Sequence, residues 1–487
     1  MKVLSIVRDN KEEKQRGNTV LAAKAGFWYV CGNFVGKSIT FITTPIFARL
    51  MTPSDYGEFS NFAIWVTILI LIVGAELFNT LSKAYYDFKD NYDEYVSSIT
   101  ILGGLITLIT YFIFLLCRNY VFRIVAIPEQ YVHLLFVFLL FSFCRLVFYA
   151  RERTLYRYKT VAVVTVISLV VPTVISVFLV YFLPASSQLS ARLYGYYVPS
   201  AIIGFFCAVA VFKNGISFKW KYCKYALALS LPLLVHYLTS YLLTSTNIVI
   251  AKNIAGNEAA AIISIANSTI QILIVLFHAT SGALTTWIMD NLELGKEEKI
   301  RKGTFYYIII LAVIIVAIIL FAPEIIHILG GKKYLAAIIL LPGLIFAVFV
   351  RSITDIFTII LTYDKNVVRT AFYTGLFAMA SIVAKIWLLP DYGILALVYV
   401  NIVVFIALFL INYFLVKQAG YANSIFLKGI IGVIFLTGFL VIFSPILYKL
   451  PYLRYMLIGA LMVGCMIVVG TNRNKLISVV KNKTKIK

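Results

Sequence analysis

The chain has 487 residues, of which 61% are hydrophobic and only 13% charged, with a mean hydropathy of +0.93. A soluble fold is roughly half apolar and about a quarter charged and cannot hide so much apolar surface, so the composition excludes a soluble enzyme or binding domain. The net charge of +22 sits in short loops and a terminal lysine run, which excludes nucleic acid and makes anionic membrane lipid the expected partner of the basic residues.

Residues 1–24 are polar and mixed in charge, with no apolar stretch ahead of a small-residue cleavage site. They read as a cytoplasmic tail rather than a cleaved signal peptide. Beyond them the apolar runs recur at membrane-spanning length. A helix needs about 20 apolar residues to cross a hydrocarbon core of about 30 Å, and only a helix satisfies its own backbone there. The breaks of charge, Gly and Pro place spans at 26–50, 59–81, 96–117, 131–149, 161–183, 193–212, 225–250, 259–289, 304–329, 335–362, 367–389, 394–416, 425–448 and 453–470. The expected fold is an all-α polytopic membrane protein of about fourteen transmembrane helices. The six cysteines, Cys31, Cys117, Cys144, Cys207, Cys223 and Cys465, lie in or beside apolar segments without CxxC spacing or clustered histidines. They read as reduced core residues, and neither a metal nor a cofactor is expected.

Fourteen spans make a claim about charge, because cytoplasmic segments should carry the Lys and Arg excess. With the N-terminus inside, 30 of the 43 basic residues fall at the cytoplasmic side, including the lysines 481, 483, 485 and 487 of the tail. Nine, Arg192 among them, fall at the outer side, and Lys37, Arg145, Arg351 and Lys385 fall within spans. One helix more or fewer upstream would scramble this partition, so the expected topology has both termini cytoplasmic.

The chain also repeats itself. Thr43, Ala48, Arg49 and Asp55 at the end of the first span match Thr246, Ala251, Lys252 and Glu258 at the end of the seventh, all at an offset of 203. At an offset of 206, Arg145, Leu155, Lys159 and Val161 match Arg351, Leu361, Lys365 and Val367. This divides the chain into a tail (1–24), a six-helix bundle (25–213), a second six-helix bundle (222–417), two added helices (425–470) and a basic cytoplasmic tail (471–487). Chance alignment of low-complexity apolar sequence is the competing account. Parallel repeats of this kind place a substrate path at their interface.

Several stretches carry a family resemblance: Gly36-Lys37, then Pro45-Ile46-Phe47-Ala48-Arg49-Leu50-Met51-Thr52-Pro53-Ser54-Asp55-Tyr56-Gly57, then Leu155-Tyr156-Arg157-Tyr158-Lys159, Ser230-Leu231-Pro232-Leu233 and Leu389-Pro390-Asp391-Tyr392-Gly393-Ile394. The first two, which form one N-terminal pattern, and the last are the most specific. In these the chain resembles the multidrug/oligosaccharidyl-lipid/polysaccharide exporter superfamily, and within it the polysaccharide repeat-unit flippases of O-antigen and capsule assembly. The resemblance covers most of the chain. It implies two bundles around a central cavity, transport of undecaprenyl-diphosphate-linked oligosaccharides across the bacterial inner membrane, and work beside a polysaccharide polymerase and chain-length machinery.

The charges within the spans point to the same kind of cargo. A Lys or Arg at a helix centre costs about 2.5–3.5 kcal/mol on insertion scales, so it usually faces water, a partner or a ligand. Cations outnumber the acids Glu76 and Asp355, which suits an anionic cargo whose diphosphate must be desolvated. Lys37 leads the substrate-binding candidates, because Gly32, Gly36 and Pro45 allow a bend around it; a snorkelling lysine is the plainer account. Arg145 and Arg351 follow. Arg145 lies near the cytoplasmic end of its span, within reach of headgroups, and Arg351 is four residues from Asp355 on one helix face, where an ion pair is equally open. Arg49 and Lys252, paired by the repeat, are candidates for handling anionic headgroups at the outer mouth or are interfacial anchors. Lys385, near the outer end of its span, reads as a snorkelling residue. Ion-coupling candidates are Glu76, Asp355, His236 and His278, since buried carboxylates and imidazoles in membranes often carry protons; a hydrogen-bonded helix contact is the alternative.

The leading function is therefore a flippase moving a lipid-linked repeat unit from the cytoplasmic to the periplasmic leaflet. A cation-coupled drug antiporter of the same superfamily is the second reading, and it calls for an acidic cavity. A polysaccharide polymerase or ligase needs a sizeable outer loop for catalytic groups, which the span assignment does not provide. A scaffold for glycan assembly is the fourth. No GxxxxGK[ST] motif is present, which argues against ATP hydrolysis.

Overall fold

The computed structural model of the protein describes residues 41–364 and 367–471, together with 36, 38 and 39. The described chain is helical from end to end. A short apolar helix, Phe41–Leu50 (α1), leads into α2 (Pro53–Gly74), a short α3 (Leu81–Asp87), α4 (Tyr92–Leu116), a short α5 (Arg118–Val125), α6 (Val132–Thr154), α7 (Tyr158–Phe182) and α8 (Gln188–Phe212). There follow α9 (Trp220–Ala255), α10 (Asn257–Glu293), α11 (Glu297–Leu320), a short α12 (Ala322–Leu329), α13 (Ala337–Tyr363), α14 (Val367–Tyr392), α15 (Leu395–Gln418), α16 (Leu427–Lys449) and α17 (Pro451–Thr471). Twelve of these helices are long and apolar enough to cross a membrane. With α1 and α17 in the first and last places, the helices follow the expected series of about fourteen, and the protein is a multi-pass, all-α membrane protein. The eight-residue α5 and α12 recur at an offset of 204, each between consecutive long helices.

The helices cluster into two compact units. Among the described residues, the first comprises those up to 275 with 329–333 and 374–397, the second 276–328, those of 334–373 and 398–471. Thus α9 and most of α14, which sequence order assigns to the second repeat, pack in the first unit. In the first unit α8 packs along both α6 and α7. Gly204 permits the approach to α6, because a Cβ there would lie 2.3 Å from the Phe141 carbonyl oxygen. The core at the α3 and α4 end gathers Leu81, Tyr95, Ile99, Phe143 and Cys223. In the second unit α13 is the interior helix, with Phe357 against Phe409 of α15, their ring centres 5.3 Å apart. The α17 residue Arg454 is buried and pairs with Glu324 of α12.

Polar connections place the loops of the first unit on two opposite sides. On one side Arg151 pairs with Asp93 at 2.7 Å, Asn214 donates to the same carboxylate at 2.8 Å, and Lys219 pairs with Glu94 at 2.6 Å. These residues come from the connections before α4, after α6 and after α8. On the other side the connections after α1, α4 and α9 meet, as described next. The alternation is that of antiparallel helices crossing a layer.

Candidate functional site

The motif Thr52-Pro53-Ser54-Asp55-Tyr56-Gly57-Glu58 starts α2 and builds this second end. Thr52 is the N-cap: its hydroxyl accepts from the Asp55 backbone N–H at 3.1 Å and donates to the Asp55 carboxylate at 2.8 Å, while Pro53 takes the first helical position. Ser54 accepts from the Asn257 side-chain amide at 3.2 Å. Gly57 is required by proximity, since a Cβ there would lie 1.8 Å from the Asn257 carbonyl oxygen. Glu58 is buried and pairs with Lys252 of α9, whose ammonium also donates to the Ala126 carbonyl. The side-chain amide of Asn253 donates to the Ile124 carbonyl at 2.9 Å, and Lys333 donates to the carbonyls of Arg49 and Met51 at 3.2 and 3.1 Å. Together these contacts latch the end of α9 and the start of α10 onto α1, α2 and α5.

Directly inside the latch, Tyr56, Phe59 and Ser60 share one face of α2 by their spacing. Against that face lies Arg192 of α8. Its guanidinium stacks over the Phe47 ring, 3.1 Å from the centre, and stands 4.4 Å from that of Phe59. It donates to the Ser176 hydroxyl at 3.2 Å, and among the described residues its Nε is buried without an acceptor. Burial is the largest influence on its charge, followed by the phenols of Tyr56, Tyr196 and Tyr197, and no ion pair among the described residues includes it. The Tyr56 hydroxyl adjoins Thr44, Ser264 and Ser268, and Ser60 donates to Ser264 at 2.9 Å. The result is an interior cluster of one fixed cation, aromatic rings and hydroxyls. A guanidinium binds phosphate oxygens through a planar fork, and aromatic faces with flanking hydroxyls suit sugar rings.

The sequence candidates are dispersed. Lys37 lies outside the described residues, as do the side chains of His236 and His278. Of the pair joined by the repeat, Lys252 is engaged by Glu58, whereas Arg49 is exposed and its guanidinium donates to the Pro45 carbonyl at 3.1 Å. The asymmetry has a sequence cause: the repeat places Ala261 where Glu58 stands in the first half. Arg145, half-buried on α6, donates to Ser142 at 3.2 Å and leaves its Nε buried without an acceptor. In the second unit Arg351 stands 6.0 Å from the centre of the Phe405 ring, while Asp355 is exposed. Lys385 does not snorkel: its side chain is fully buried.

Glu76 sits where the second span breaks. Ala75 and Glu76 both adopt left-handed backbone, with φ of 42° and 55°, between the end of α2 and a single 3-10 turn, Leu77–Thr80. Left-handed conformation in a residue with a Cβ costs roughly 1–2 kcal/mol, so the break is held by its surroundings. The Glu76 carboxylate is buried and accepts from the Asn79 amide, and Thr80 bonds the Tyr95 hydroxyl at 2.6 Å. Among the described residues no group of three or more His, Cys, Asp or Glu side chains is placed to hold a metal ion.

The sequence model of a family described as Polysaccharide biosynthesis protein matches residues 22–291. The chain belongs to that family. No curated protein matches the sequence. Among solved structures, the lipid II flippase MurJ in an inward closed conformation superposes with a TM-score of 0.66 at 13% identity, covering 90% of this chain and 99% of that one. An inward-facing multidrug resistance MATE family transporter of the MOP superfamily gives 0.58 at 15% identity, covering 79% and 95%. The polysaccharide biosynthesis protein thus has the flippase and transporter fold of that superfamily, and these structural neighbours are transporters and flippases rather than enzymes.

By span length Arg192 falls in an outer loop, one residue before the span at 193–212, whereas the structure places it within α8. The missed signal is the pattern Arg192-Leu193-Tyr194-Gly195-Tyr196-Tyr197, which puts a cation and an aromatic four residues apart on a helix rather than in a loop.

Proposed function

We propose that the protein moves undecaprenyl-diphosphate-linked oligosaccharide repeat units from the cytoplasmic to the periplasmic leaflet of the bacterial inner membrane, by alternating access, for surface polysaccharide assembly. The observation that carries this reading is the interior cluster around Arg192: a cation with aromatic and hydroxyl neighbours and, among the described residues, no carboxylate partner, in a chain of the polysaccharide biosynthesis family. A cationic drug calls for the opposite charge at such a place. The MATE-like fold accommodates the antiporter reading equally, and it is the charge of the cluster that supports the flippase reading.

In this reading the latch of Glu58, Lys252, Asn253, Asn257 and Lys333 closes the periplasmic end, with both termini cytoplasmic. The cargo's diphosphate meets the cations of the path, with Lys37, Arg145, Arg192 and Arg351 contributing. Glu76 couples an ion to the cycle, and the delivered unit passes to a polymerase and its chain-length machinery. The cargo and the ion must each bind the two end states differently for a gradient to drive the cycle. Deletion of the gene tests it. The lipid-linked repeat unit should accumulate on the cytoplasmic face, and delivery to the periplasmic leaflet at the normal rate would refute the reading.

A further inference from the structure

Lys385 lies on a stripe of α14 with Ala378, Ser381 and Leu389, all buried in the first unit. Its side chain is 0% exposed, and among the described residues its Nζ has no hydrogen-bond partner and no charged group acts on it. The Ser381 hydroxyl, one turn earlier and also 0% exposed, has no partner among the described residues either. Residues four apart stand on one helix face with Cβ atoms about 6 Å apart, so two buried donors are presented side by side without an acceptor.

Among the described residues the other buried cations are provided for: Lys252 by Glu58, Arg151 by Asp93, Arg454 by Glu324 and Arg192 by aromatic rings. A donor withdrawn from water and left without an acceptor is costly, and an intramembrane cation is retained where a ligand or a second conformation supplies what is missing. The stretch of α14 that carries the stripe packs in the first unit, where a Cβ built on Gly375 would lie 3.8 Å from Thr239 of α9.

Resting on the function proposed above, we propose that Lys385 and Ser381 form a phosphate-binding position, covered in the conformation seen here and opened when α14 shifts against its neighbours, which takes the diphosphate of the lipid-linked cargo. Two donors one helical turn apart match an acceptor with several oxygens, as a diphosphate is, better than a single carbonyl. The stripe offers nothing to a cationic cargo.

The test measures binding of undecaprenyl diphosphate to the full chain in nanodiscs, with phosphatidylglycerol as competitor, for wild type, Lys385→Met, Lys385→Arg and Ser381→Ala. Loss of a hydrogen-bonded charge weakens a ligand by about tenfold or more, so Lys385→Met should lose at least that much, Lys385→Arg should stay within about threefold, and Ser381→Ala should lose about threefold. Lys385→Met should also melt no lower than wild type, because it removes a buried cation that nothing pairs. Lys385→Gln replaces it where the methionine variant does not insert. A Lys385→Met variant that binds like wild type, or melts well below it, overturns the site, the latter by revealing a structural partner. Phosphatidylglycerol competing as strongly as undecaprenyl diphosphate assigns the phosphate to bulk lipid and overturns the cargo assignment. Failure of wild type to bind undecaprenyl diphosphate overturns the proposed function and the site with it; wild-type binding with an indifferent Lys385→Met overturns only the site.

Discussion

Lys252 of α9 and Glu58 of α2 are buried against each other, 194 residues apart in sequence, at the end of the molecule where α9, α2 and α5 meet. The pair joins a helix of the second repeat to one of the first, and Ala126 supplies a further acceptor from the connection after α5. Removing one partner leaves the other charge buried alone, which costs about 3–5 kcal/mol. Glu58→Gln or Lys252→Met should therefore each lower the melting temperature of the purified protein markedly. The double variant should recover much of the loss. Equal, additive losses in the two singles and the double would show that the charges do not act on each other.

Gly57 tests the same latch without charge. A methyl group there meets the Asn257 carbonyl oxygen, and overpacking of a close contact costs about 1–3 kcal/mol, enough to lower the latched population roughly tenfold. Disulfide formation between Ser54→Cys and Asn257→Cys should fall accordingly when Gly57→Ala is added. An unchanged yield would mean that α2 and α10 have room to adjust.

Arg192 separates charge from shape. Arg192→Met removes both the cation and the planar fork and should abolish delivery of the repeat unit while leaving the protein inserted and monodisperse. Arg192→Lys keeps the charge but loses the stacking on Phe47 and Phe59, and should retain delivery at about a tenth of wild type or less. Full delivery by Arg192→Met would return Arg192 to the role of a packing residue. Delivery by the lysine variant equal to wild type would show that the flat guanidinium is dispensable.

Apolar run length was enough to find the long helices, because each must satisfy its backbone and bury or expose its side chains over the same thickness. What periodicity could not find was the interior of the run. Thr52, Pro53 and Gly57 were visible as a motif, and the cap and first helical residue are local features, but the need for glycine at 57 depends on Asn257, a partner 203 residues from Ser54. Arg192 was hidden because loop and helix share the same polar residues at a boundary. Lys385 misled for a different reason: a lysine near a span end usually reaches water, and the packing of α14 within the first unit is set by tertiary contacts that no local pattern carries.

The break at Ala75 and Glu76 gives the last prediction. Glycine adopts left-handed backbone without the Cβ penalty, so Ala75→Gly should stabilise the protein by about 0.5–1 kcal/mol if the bend is present in the folded state. Glu76→Gln keeps the shape of the side chain and its ability to accept from Asn79 while removing the ionisable group. A carboxylate that carries an ion makes transport depend on the ion gradient, so the glutamine variant should hold its melting temperature and lose gradient-driven delivery in proteoliposomes. A carboxylate that only caps the bend predicts the reverse, with unchanged delivery and any deficit confined to stability. The two substitutions together therefore separate the geometry of the break from its chemistry. Ala75→Gly acts on the first alone, and a loss of delivery in that variant would mean that the strain itself is part of the cycle.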